Sequence, residues 1–134
     1  MIPLLLLWAC TTSKDEPEAL AYDHIACDHC GMIVSEPRFA AQMTTATGER
    51  YEFDDPACVF LYIQDHTPAI GHIWFHDSTR PADKDAWLDW QQVSFVESSG
   101  APMDGGLAAV PLAAGPMSFS EASSRVLTAH RRSP

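Results

Sequence analysis

Basic residues are scarce in this sequence. Eight lysines and arginines stand against eighteen aspartates and glutamates, giving a formal net charge of -10. Such a chain is repelled by a phosphate backbone, which argues against nucleic acid as a partner. A second Cys-x-x-Cys is also missing beside Cys27 and Cys30, and no histidine follows Cys58 at ligand spacing. The usual four-ligand pattern of structural zinc is therefore absent. No nucleophile–base spacing and no phosphate-cradling glycine loop is visible, so hydrolase, kinase and dehydrogenase readings have little support and the chain reads as a non-enzyme. The apolar run over residues 1–10 is too short to cross a bilayer, which takes about 20 residues. No charge precedes Lys14, so that run lacks the basic start of an ordinary export signal.

What is present is a globular composition, 46% hydrophobic with 19% charged residues, over a length suited to one compact unit or two small packed halves. The chemistry is concentrated in Cys27-Asp28-His29-Cys30-Gly31-Met32. Two thiols, an imidazole and a thioether lie within six residues, and soft sulfur donors of this kind select soft metals, Cu(I) above all. Gly31 permits a tight bend between Cys30 and Met32. The pair by itself can also be a redox dithiol, half of a zinc site or a disulfide. The residues after Cys30 make a poor helix start, with Pro37 close behind, which disfavours a thioredoxin-like dithiol. Setting Cys10 aside leaves Cys27, Cys30 and Cys58, an odd number, so at least one thiol is free, metal-bound or paired with another molecule.

Leu7-Trp8-Ala9-Cys10 looks like a bacterial lipoprotein signal, with residues 1–9 signal-like and Cys10 the lipidated residue. Residues 10–21 then read as a polar tether. Thr11 beside Cys10 favours an outer-membrane destination by the sorting rule of lipoproteins in general. The expected location is a membrane lipoprotein facing the periplasm.

The rest of the chain reads as α+β. Arg38–Thr45 and Glu49–Phe53 are expected to form a hairpin around Thr47-Gly48. Asp54 or Asp55 caps a helix from Pro56 to about Asp65, with Val59, Phe60 and Ile63 inward. Ile70–Phe75 is strand-like, followed by a loop. Trp87–Trp90, Val93–Val96 and Leu107–Val110 give further strands, and Ser118 or Ser120 caps a last helix through about Ala129. Strand, strand, helix thus appears twice, dividing the chain into a first unit over residues 22–80, which holds the metal motif, and a second over 81–134.

These residues together resemble the NosL family, copper-binding lipoproteins that accompany nitrous oxide reductase in denitrifying bacteria. The similarity rests on Cys27 through Ile33, on Phe53-Asp54-Asp55-Pro56-Ala57-Cys58, on His76-Asp77, and on Pro102-Met103 with Gly105-Gly106-Leu107-Ala108. It implies two consecutive strand-strand-helix units, an architecture similar to part of the organomercurial lyase fold. It also implies a Cu(I) chaperone that works with nitrous oxide reductase, or a related copper enzyme, and a membrane-associated maturation machinery. Cys30 and Met32 match the family's cysteine-glycine-methionine segment, and Met103 its later methionine, with Asp104 where glycine is commoner. Cys27 and His29 are the weaker candidate ligands, and Cys58 falls where the family varies. Two alternatives stand beside this reading. One is a periplasmic protein exchanging disulfides through Cys27 and Cys30; the other is a structural lipoprotein without catalysis.

Overall fold

The computed structural model describes residues 13–103 and 105–134; Cys10 and Asp104 lie outside them. Strands β1 (Ala41–Thr45), β2 (Arg50–Phe53), β3 (Ile70–His76) and β4 (Trp87–Asp89) form an antiparallel sheet in the order β2-β1-β3-β4. Strands β5 (Val93–Glu97) and β6 (Leu107–Pro111) form a separate antiparallel pair. Helix α1 (Pro56–His66) follows β2, and helix α2 (Phe119–Arg132) follows β6. The α+β class and the repeated strand-strand-helix order are as expected, with β3 and β4 added to the first sheet.

Local chemistry explains most boundaries. Gly48 has φ +95° in the turn between β1 and β2, a conformation open to glycine. Asp55 is the N-cap of α1, accepting from the Ala57 amide at 2.7 Å, and Pro56 stands at the first helical position, where no amide is needed. Ser118 caps α2 in a reciprocal arrangement with Glu121. The strand expected from Arg38 begins only at Ala41, because Pro37 opens a single 3-10 turn through Phe39. Likewise β4 stops at Asp89, whose side chain accepts from the Gln91 amide and starts another 3-10 turn.

The central strand β1 is buried along its whole length. Its alternate side chains serve two different layers. Ala41 and Met43 enter the apolar core with α1, whose first seven residues are all buried. At the centre, the Phe60 ring lies 6.1 Å from Phe75, 5.8 Å from Phe95 and 5.2 Å from Phe119, joining the sheet to β5 and α2. Truncating Phe60 to alanine removes the hub of this cluster, at a cost of about 3–5 kcal/mol.

Gln42 and Thr44 point the other way, and residues 13–18 lie over them. The Gln42 amide makes both hydrogen bonds of a strand partner with the Glu18 backbone, each 2.9 Å. Thr44 donates to the Lys14 carbonyl at 2.9 Å. Arg50 donates to the carbonyls of Ser13 and Glu16, at 3.2 and 2.9 Å, and lies 3.4 Å from the Glu18 carboxylate. His72 approaches Asp15 at 3.3 Å. Thus part of the segment expected to be a tether is fastened to the sheet. No helix among the described residues is long and apolar enough to cross a membrane.

Candidate metal centre

The Cys27–Met32 segment folds back on itself ahead of β1. The Cys27 amide donates to the Met32 carbonyl at 2.7 Å, and the Gly31 amide to the Cys27 carbonyl at 3.0 Å. Gly31 takes φ +77°, the bend its position required. Residues 26 and 33 meet in an isolated antiparallel bridge, so the pair of cysteines sits in a closed loop and not at a helix start. Asp28 then docks this loop on the free edge of β2. Its amide donates to the Glu52 carbonyl at 2.9 Å, and its carboxylate accepts from the Glu52 amide at 2.7 Å.

This docking places the loop against the start of α1. One ligand atom each from Cys27, Cys30, Asp54 and Cys58 lie within 4.8 Å of one another. All three cysteines are free. Cys30 and Cys58 both donate to the same oxygen of Asp54, each at 3.3 Å. The other carboxylate oxygen, Oδ2, is buried without a hydrogen-bond partner. An orphaned buried carboxylate oxygen is costly. Amid three thiols it is an open ligand position, so the donor set fits a thiophilic cation.

The thiols are not equivalent. The Cys27 thiol is lowered to about 7, chiefly by its hydrogen-bonding proximity to the Cys58 sulfur. Burial opposes this, and the backbone amides of Cys30, Asp54 and His29 add to it. The Cys58 thiol is pushed up, first by that same proximity and then by burial. Burial pushes Cys30 up to about 11. Cys27 is thus the most acidic of the three thiols.

Of the residues singled out in the sequence, Cys27 and Cys30 come together. The His29 imidazole is not one of the gathered ligand groups, although its backbone faces Cys27. Met32 is 41% exposed, next to the exposed Ile33. Met103 is partly buried on the loop before β6, and its amide donates to Asp55 at 2.9 Å. That loop presses on α1: a Cβ on Gly105 would stand 2.6 Å from the Ala57 Cβ. Sequence reasoning missed Asp54 and Cys58 as a pair. Their four-residue spacing across the helix start was the available signal.

The NosL family model matches residues 19–122. The crystal structure of the copper chaperone NosL from Shewanella denitrificans is similar with a TM-score of 0.62 and 17% identity, covering 85% of this chain and 87% of that one. No curated protein sequence matches.

Proposed function

Because this chain belongs to the NosL family, we propose that it holds Cu(I) for delivery and makes or breaks no bonds in a substrate. The observation that carries this reading is the gathering of three free thiols and a carboxylate within 4.8 Å, with one thiol partly exposed. Cys30 is the exchange ligand, Cys27 and Cys58 stand behind it, and Met32 and Met103 are the thioether donors. Asp54 accepts from the thiols before the metal binds, and His29 is the remaining donor at the rim. Thiolate and thioether sulfur favour Cu(I) over harder ions. The similar crystal structure is that of a copper chaperone, which supports the same cargo. The recipient in this reading is nitrous oxide reductase or a related copper enzyme, reached with a membrane-associated maturation machinery. Cys10 carries the lipid of an outer-membrane lipoprotein facing the periplasm.

The thiol-exchange alternative needs an accessible thiolate of low pKa. Here the low-pKa thiol, Cys27, is 3% exposed, whereas the more accessible Cys30 is pushed up to about 11. That is the reverse of what exchange requires. The test is reconstitution under reducing conditions with Cu(I) and, separately, Zn(II), followed by mixing with a copper-depleted recipient enzyme. Stoichiometric Cu(I) that moves to the recipient supports the reading. A protein that takes up Zn(II) alone, or retains copper indefinitely before a competent recipient, overturns it.

A further inference from the structure

The segment ahead of the cysteine loop covers the outer face of the sheet. Ser13, Lys14, Glu16 and Glu18 are fastened through their backbones to Arg50, Thr44 and Gln42, residues that are neighbours on one face. Gln42 is fully buried and commits its amide to this one contact with Glu18 and to Arg50, which donates to it at 2.7 Å. The segment's carboxylates are largely matched: Glu18 lies against Arg50 and Asp15 against His72. Such buried side-chain amides bonding to main chain make a specific dock.

We propose that residues 13–18 are a strap that shortens the membrane anchor to a leash and turns the outer face of the sheet toward the lipid surface. The proposal rests on the reading of Cys10 as the lipidated residue. A free tether through residue 21 would let the domain range about 40 Å from the anchor, at about 3.5 Å for each extended residue. With the strap fastened from Ser13 onward, three residues remain, a reach of about 11 Å. The chain leaves the domain on the strap side. Helix α1, with Cys58, packs on the opposite side of β1, among Ala41 and Met43. The lipid surface therefore meets the strap face, and α1 with Cys58 lies on the side of β1 away from it.

The experiment uses the full acylated protein in vesicles of phosphatidylethanolamine and phosphatidylglycerol with a quencher on the headgroups. A fluorescent amino acid replaces exposed Pro17 on the strap or exposed Thr128 on α2. Quenching is expected to be several-fold stronger at position 17, and a long Gly/Ser insertion between Thr12 and Ser13 should erase the difference. Equal quenching at both positions in acylated protein without the insertion overturns the leash. Mass spectrometry finding Cys10 without lipid overturns the anchor reading instead. Hydrogen exchange of the Glu18 amide then judges the strap alone: slow exchange upholds the dock, and exchange at the rate of an open chain overturns it.

Discussion

Asp28 holds Glu52 by both of its backbone groups, its own amide on the Glu52 carbonyl and its carboxylate on the Glu52 amide. This clamp is what brings a cysteine loop to the edge of β2 and so to the start of α1. Replacing Asp28 by alanine leaves the Glu52 amide without its acceptor, at a cost of about 1–2 kcal/mol. Cu(I) affinity should fall with it, because Cys27 and Cys30 lose their fixed distance to Cys58. Asp28→Asn keeps an acceptor and should recover most of both. Denaturant midpoints and exchange of the Glu52 amide measure the clamp; a loop that stays protected in Asp28→Ala contradicts this role.

The same pair sets a pH dependence. Burial, followed by the negative charge of Asp28, raises the Glu52 carboxyl above the ordinary glutamate range. The folded chain then binds this proton more tightly than the unfolded chain does. Stability from this source is present at acid pH and declines as pH rises through that raised value. Glu52→Gln should remove the decline and match or exceed wild-type stability near neutrality, by a few tenths to about 1 kcal/mol. Unfolding midpoints of both proteins across pH 4–8 test the sign.

Asp55 ties two elements with one carboxylate, capping α1 through Ala57 and holding the Met103 amide. Gly105 lets the same loop lie on Ala57. Gly105→Ala should push the loop outward, costing about 1–3 kcal/mol as an overpacked contact. It should also weaken Cu(I) retention through displacement of Met103. A Gly105→Ala protein with unchanged stability and unchanged copper release contradicts this placement.

In the proposed site the sulfur atoms differ in exposure, and their substitutions should separate. Cys58 is fully buried and Met32 is exposed. Cys58→Ser should lower Cu(I) affinity by about tenfold or more, since a hydroxyl replaces a soft ligand. Met32→Leu keeps the bulk of the side chain and should chiefly change the rate of transfer to a chelator. Stopped-flow transfer and equilibrium competition, run on both variants, distinguish the two effects; equal losses of affinity would contradict the inner and outer roles.

The hairpin, α1 and α2 were legible because alternation, Asp-Asp-Pro and a serine cap are local signals. The cysteine pair was legible as soft donors for the same reason. Its completion by Asp54 and Cys58 was not, because a clamp between Asp28 and Glu52, set by strand pairing, decides which helix the loop meets. The polar segment after Cys10 reads as solvated, and only tertiary partners reveal otherwise. Gln42 looks like an exposed strand residue until Glu18 covers it. The early 3-10 turn at Pro37 was a matter of one proline overriding a strand pattern.

The central claim is that a thiol-centred site binds copper in the cuprous state. The most direct measurement is an anaerobic competition titration of Cu(I) against a chromophoric chelator, comparing wild type with Cys30→Ser. One Cu(I) per wild-type chain, with affinity lost or reduced by orders of magnitude in Cys30→Ser, is the predicted result. Wild-type protein that takes no Cu(I) from the chelator, or a Cys30→Ser variant with full affinity and stoichiometry, contradicts the account.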